Sequence, residues 1–231
     1  MTILAIDTSG PTLGVALVTR KTVEAELVVR AGRRTSSLLP RLVHGLLADA
    51  CMDVGDLEAI SVTLGPGSFT GLRIGVGFAV GLALARDLPA VGVSSSRALA
   101  ASAQGVVGRH IVSAISAGRG GGYFALYRKD PGAHDPCALQ ELISPGRHSA
   151  KEFLNILHTK VYAAGEPVWV CDDAKAIEGE MPGDVVTLQL RPGVVGQLGW
   201  RKLDECGPTD LSDLHPRYHR KSGAERGRAK Q

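Results

Sequence analysis

The chain reads as an α/β protein of two layered lobes, and three features predict this. The first hundred residues alternate strand and helix patterns in the order β-β-β-α-β-α-β-α, the succession expected of a layered α/β domain. The stretch Leu64-Gly65-Pro66-Gly67-Ser68-Phe69-Thr70-Gly71-Leu72-Arg73-Ile74-Gly75 joins a β-branched run to a long apolar one, as a strand–turn–helix unit does. A second set of patterns begins near His110, after a break at Gly105 to Arg109. These place a first lobe at residues 1–107, a smaller one at 108–215 and a basic tail at 216–231.

Thr2 to Asp7 has the apolar run of a buried strand, and Thr8-Ser9-Gly10-Pro11 is a turn. Leu13 to Thr19 and Thr22 to Val29 return as two more strands of an antiparallel meander. From Ser37 to Cys51 the apolar residues Leu39, Leu42, Val43, Leu46, Leu47 and Ala50 follow helical spacing. Pro40 is expected in the first turn of this helix, where an N–H has no partner to lose. Leu38 and Leu47 widen the apolar stripe, which predicts a helix that also packs outside its own sheet.

Ala59 to Thr63 is a strand leading into the glycine turn. Gly65 and Gly67 permit backbone that other residues would strain, and Ser68 and Thr70 suit the N-cap of a helix starting near Gly71 and ending near Arg86. Such a turn can present N–H groups to an anion, or it can simply let strand and helix pack closely. A strand at Ala90 to Val93 and a helix from the Ser94-Ser95-Ser96 cap to Gln104 complete the lobe.

In the second region, Ile111 to Ala117 and Tyr123 to Tyr127 flank a glycine-rich turn. Leu139 to Ile143 and Lys160 to Ala164 read as strands, with a helix at Ser149 to Leu157 between them. Beyond Pro167 the pattern weakens to a strand at Val185 to Leu190 and a helix at Val194 to Leu203 interrupted by Gly196 and Gly199. No internal repeat of fixed period is visible.

Composition narrows the class. A 231-residue chain with 44% hydrophobic and 21% charged residues describes a folded globular protein. No apolar run looks long enough to span a bilayer and no secretory pattern opens the chain, so the cytoplasm is expected. Four scattered cysteines without a CxxC pair argue against a zinc site or a disulfide framework, and predict mostly buried thiols. The net charge is +3, with six basic residues against Glu225 between His215 and Gln231. That tail is expected to be solvated, with contact to RNA phosphates as the functional alternative.

Asp7 ends the first strand as either a metal- or phosphate-facing acid or an Asx turn, and the residues leave both open. His215 and His219 have metal-ligand spacing, but Pro216 between them and the absence of a nearby carboxylate argue against a site. His44 is expected at the surface. No GxSxG elbow occurs, so no catalytic residue and no metal ligand is assigned.

The run from Gly65 to Gly75, its Ala/Gly/Leu helix, Val91-Gly-Val-Ser-Ser95, the opening Ile3-Leu-Ala-Ile-Asp-Thr-Ser9 and the ending Pro216-Arg-Tyr-His-Arg220 together resemble the TsaB (YeaZ) family. The resemblance implies a two-lobed actin-like, Hsp70-like ATPase fold (ASKHA, ribonuclease H-like). It implies a scaffold role in forming threonylcarbamoyladenosine beside the anticodon of tRNAs that read ANN codons. The partners implied are a catalytic TsaD-like subunit, a TsaE-like ATPase, a second copy when the chain is alone, and tRNA through the complex. No membrane is implied. No tightly held cofactor is implied either, with ATP or ADP held only weakly or at the complex interface.

Vestigial phosphate-facing residues would be Asp7, Thr8, Gly65, Gly67 and Ser68. Interface candidates are Leu38, Leu39, Leu42, Val43, Leu46, Gly71, Arg73 and Gly75, and Leu39→Glu with Leu46→Glu is expected to abolish pairing while leaving the fold intact. Family members usually carry Asp-Ala-Arg where this chain has Ser116-Ala117-Gly118-Arg119, which weakens a nucleotide site. The alternatives are an ATP-dependent small-molecule kinase of the same fold, a metallopeptidase-like activity, or an RNA-binding module working through the tail.

Overall fold

A computed structural model describes residues 1–103, 110–117, 121–129, 135, 137–160, 167–173 and 184–217. Of the expected strand at Lys160 to Ala164 only Lys160 is described, and it ends a helix. The rest of that strand, the residues at the lobe boundary, Gly118 to Gly120, His219 and the tail from Tyr218 lie outside the described residues.

Among the described residues, ten strands form two five-stranded sheets. The first holds β1 (Thr2–Asp7), β2 (Thr12–Thr19), β3 (Val23–Arg30), β4 (Leu57–Gly65) and β5 (Ala90–Ser94) in the order β3-β2-β1-β4-β5. The second holds β6 (His110–Ser116), β7 (Gly122–Lys129), β8 (Leu139–His148), β9 (Val168–Cys171) and β10 (Val185–Thr187) in the order β8-β7-β6-β9-β10. In each, three strands form an antiparallel meander and two more join it in parallel. The two lobes are thus one topology used twice, the two-lobed ASKHA-like architecture. No sequence period betrays it, because the shared feature is strand order and direction, not side chains.

Alternation along the strands sorts the side chains between two cores. Ile3 and Ala5 of β1 face one cluster, and Leu4 and Ile6 the other. The outer face of the first sheet is covered by α1 (Thr35–Asp49) and α2 (Phe69–Arg86), through Leu39, Val43, Leu46, Val76 and Ala79. The outer face of the second sheet is covered by α4 (Ala150–Lys160), where Phe153 stacks on Phe124 with ring centroids 5.1 Å apart and meets Trp169 edge-on. Between the sheets lie α3 (Ser95–Ser102) and α5 (Pro192–Cys206), in a core shared by both lobes.

The last helix is the main departure from the sequence expectation. It is continuous, and its glycines are what let it approach the first sheet. A Cβ at Gly196 would meet Val18 at 2.5 Å, and one at Gly199 would meet Ser61 at 2.5 Å. Each glycine costs the helix about 1 kcal/mol in propensity, but Val194, Val195, Leu198 and Trp200 are buried in return. Trp200 Nε1 donates to Val18 O at 2.9 Å and Ser61 Oγ to Val195 O at 2.9 Å. Residues 192–206, assigned by sequence to the second lobe, therefore spend their buried face on the first sheet. The segment after α5 then runs beside β5, where Thr209 N–H donates to Ala90 O at 2.9 Å, covering what would be an open sheet edge.

Several local expectations are corrected. A 3₁₀ turn at Gly32–Arg34 feeds α1 directly, so Pro40 sits inside the helix, on its exposed side, and not in the first turn. β8 continues through Pro145 to His148, and Val168–Cys171 is a strand that the sequence reading passed over. Two of the four free cysteines, Cys51 and Cys206, are exposed. By length and composition α2 does reach what a membrane span needs, with 18 residues and a mean hydropathy of 1.3. His44 is exposed, as expected.

Candidate functional site

The glycine turn closes on the opposite hairpin. Gly65, at φ +111°, and Gly67, at φ +155°, hold backbone that favours glycine, on either side of Pro66. A Cβ at Gly67 would stand 2.2 Å from Ser9 O, and one at Gly71 would stand 2.1 Å from Thr8 O. At Gly75 it would meet Thr8 Oγ1 at 2.2 Å. Three glycines at i, i+4 and i+8 thus form a groove along the start of α2 that the Thr8–Ser9 turn fills. Gly71 and Gly75, expected at a partner interface, are buried within the chain. Their smallness serves contact with β1's own turn.

The N-terminus of α2 is likewise used internally. Ser68 N–H donates to Ser9 O at 2.6 Å, and Ser68 Oγ caps the helix by accepting from Gly71 N–H at 3.2 Å. Two of the donors that an anion could use, Ser68 N–H and Gly71 N–H, are thereby committed. Asp7 is buried, and its Oδ1 accepts from Ser9 N–H at 3.0 Å, Ser9 Oγ at 2.7 Å and Thr63 Oγ1 at 2.8 Å. This is an Asx-type turn with an added link to β4, so the turn reading of Asp7 is realised. Thr8 Oγ1, pressed against Gly75, is buried without a hydrogen-bond partner.

Burial raises the Asp7 pKa, and the bonds from Ser9 and Thr63 only partly oppose it. A folded pKa above the unfolded one means that the folded state binds more protons in the window between them. Asp7 thus costs stability at neutral pH, and that cost is relieved as pH falls through its folded pKa. Asn can accept the same three bonds on its Oδ1 without the charge. Asp7→Asn is therefore expected to be at least as stable as the natural chain at pH 7, with the difference shrinking toward pH 4 in denaturant titrations. A large loss at pH 7 would show that the ionised carboxylate is required.

A second acid, Asp172, stands just after β9. It lies with Asp7, Pro11, Leu99 and Leu190 around a cleft of about 20 Å³ between the two sheets. Asp172 Oδ1 accepts from Ser116 N–H at 2.9 Å, and burial raises its pKa too. The signal was the run Val-Trp-Val-Cys before two acids, whose brevity hid a strand. The cleft is narrow, and among the described residues no set of three His, Cys, Asp or Glu side chains is placed to hold a metal ion.

The outer helix pair divides the remaining candidates. Leu39, Val43 and Leu46 are buried against the first sheet, whereas Leu38 and Leu42 are only partly covered. On α2, Arg73 is exposed and its guanidinium lies 4.3 Å from the centre of the Phe69 ring. Phe69 is 43% exposed and Leu84 68% exposed, and helical spacing puts both on one side with Arg73, Gly77 and Gly81. Nothing lies within 4 Å of a Cβ built at Gly77 or Gly81. The sequence named Arg73 of this face but not Phe69, Gly77 or Leu84, because α2 is apolar all round and its pattern does not reveal which side meets the sheet.

Against known proteins, the family model for tRNA N6-adenosine threonylcarbamoyltransferase (TsaD) matches residues 29–170. The chain is 35% identical to the tRNA threonylcarbamoyladenosine biosynthesis protein TsaB of Bacillus subtilis, over 97% of this chain and 96% of that one. It is 40% identical to the Escherichia coli TsaB over 56% of each. A crystal structure of a Pseudomonas aeruginosa protein described as similar to the peptidase YeaZ superposes with a TM-score of 0.79 at 24% identity, covering 95% of this chain and 99% of that one. YeaZ of Pseudomonas aeruginosa superposes with a TM-score of 0.73 at 23% identity, over 94% of this chain and 99% of that one, which is a likeness of fold. With its glycine motif, its two-lobed fold and a relative matched along almost its full length, the chain belongs to the TsaB family.

Proposed function

We propose that this chain is a subunit of the machinery that forms threonylcarbamoyladenosine in tRNA, working in the cytoplasm as the non-catalytic partner of a TsaD-like threonylcarbamoyltransferase. The observation that carries the reading is the near-full-length similarity to the Bacillus subtilis TsaB. The geometry supports a scaffold role in a positive way. The groove of Gly67, Gly71 and Gly75 is filled by Thr8 and Ser9, and the Asp7 carboxylate is engaged by Ser9 and Thr63.

The joint with the partner is the outer face of α1 and α2, centred on Phe69, Arg73, Gly77, Gly81 and Leu84 and edged by Leu38 and Leu42. Two exposed large apolar side chains beside two glycines with open space over them allow another helix to approach closely. Without the partner, a second copy covers the same face. A TsaE-like ATPase joins the assembly, ATP or ADP is held weakly or at the complex interface, and tRNA is reached through the complex.

The test is twofold. Cells depleted of their own TsaB should regain threonylcarbamoyladenosine in tRNA when this chain is supplied with a cognate transferase, and nucleoside analysis showing no recovery would overturn the role. Size-exclusion chromatography with light scattering should show a self-dimer that converts to a heteromer on mixing. Phe69→Glu with Leu84→Glu is expected to weaken both associations roughly 100-fold, with thermal stability of the monomer unchanged because both side chains are exposed. Unaltered association in that variant would move the joint elsewhere.

A further inference from the structure

A cavity of about 300 Å³ opens at the carboxyl ends of the parallel strands β4 and β5, walled by α3, α5 and β8. Four cations line it, Arg97, Arg201, Lys202 and Arg217, against two carboxylates, Glu141 and Glu205. Glu205 is taken by Arg201 Nε at 2.7 Å, and Arg201 also reaches Asp135 at 3.2 Å. The other cations have neutral partners. Arg97 donates to Leu139 O, and Lys202 Nζ donates to Gly92 O at 2.9 Å. Arg217 also lines the cavity, anchored by its backbone N–H, which donates to Leu64 O at 2.7 Å.

Arg217 lies close enough to Lys202 that its charge is felt by the Lys202 ammonium. Burial first, and Arg217 second, push the Lys202 pKa down. Two cations held together in a part-enclosed cavity raise the energy of the empty site, and an anion between them would offset that cost. The N-terminus of α3, capped by Ser94, opens on the same wall and adds a positive dipole end. The carboxyl ends of parallel strands are also where open α/β sheets receive ligands.

We propose that this cavity binds the phosphoryl group of a small phosphorylated molecule, gripped by Arg97, Lys202 and Arg217. Guanidinium forks match tetrahedral phosphoryl oxygens, and a concave cavity of this size takes a compact monoester or pyrophosphate. A phosphodiester backbone, by contrast, is met in open grooves that track a strand. The cavity shares no lining residue with the cleft of Asp7 and Asp172, nor with the outer face of α2.

The experiment titrates inorganic phosphate, then pyrophosphate, into the full chain by calorimetry, with a single-stranded RNA 12-mer followed by fluorescence anisotropy as a separate arm. Saturable phosphate or pyrophosphate binding is expected, weakened about tenfold or more by Arg217→Gln and again by Lys202→Met. Arg217→Gln keeps the backbone bond to Leu64, so its circular dichroism and ligand-free Tm should match the natural chain, and it serves alone if Lys202→Met does not fold. No saturation up to about 10 mM, or equal affinity in Arg217→Gln, overturns the site. RNA binding that is sensitive to Arg217→Gln, without phosphate or pyrophosphate binding, overturns its assignment to a small molecule.

Discussion

Gly71→Ala is expected to lower stability by about 3 kcal/mol, although alanine is the better helix former. The propensity gain of up to about 1 kcal/mol favours the substitution. Against it stands a Cβ only 2.1 Å from Thr8 O, a backbone atom that no rotamer change can move aside. Relief requires lifting α2 from the β1–β2 turn, which loosens Ser68 N–H from Ser9 O and disturbs the packing of Leu72. Overpacking of this kind costs about 1–3 kcal/mol or more. Gly77→Ala, two turns along the same helix, meets nothing within 4 Å and should gain about 0.5–1 kcal/mol. Chemical denaturation of the two variants under conditions that keep both monomeric decides the matter. If Gly71→Ala proves neutral, the groove is not the tight contact that its geometry describes.

Leu39→Glu combined with Leu46→Glu is expected to unfold the chain, not merely to uncouple it from a partner. Leu39 is 0% and Leu46 2% exposed, both in the core beneath the first sheet. Removing a buried leucine costs about 2–5 kcal/mol, and a carboxylate placed there must be desolvated or protonated at further cost. Two such sites consume most of the ~5–15 kcal/mol that holds a domain together. Loss of the cooperative thermal transition and rapid trypsin cleavage are the expected readouts. A folded, protease-resistant double variant that has lost only its partner would return these two leucines to the interface. The correction arises because one helix buries one stripe and presents another, and apolar spacing alone does not say which stripe faces inward.

The parts of the fold legible in sequence were those specified by contiguous residues. Thr2 to Asp7 announced a buried strand because all six side chains are inside, and Ser68 announced a cap because its hydroxyl acts three residues along the same chain. Val168–Cys171 was not legible, since four apolar residues have no period of their own. Nor was α5, because Gly196 and Gly199 read as interruptions until Val18 and Ser61 are seen beneath them.

By itself the sequence determined the two-lobed α/β class, the strand–turn–helix at Gly65 to Gly75 and the family resemblance, all carried by local pattern. Only the tertiary structure decided what the glycines touch, that Asp172 joins Asp7 at the cleft, which face of α2 stays open, and that Lys202 and Arg217 share a cavity. Each of these depends on which distant segment comes to lie alongside. That choice is made by burying both faces of two sheets at once, a condition on the whole chain that no window of residues contains.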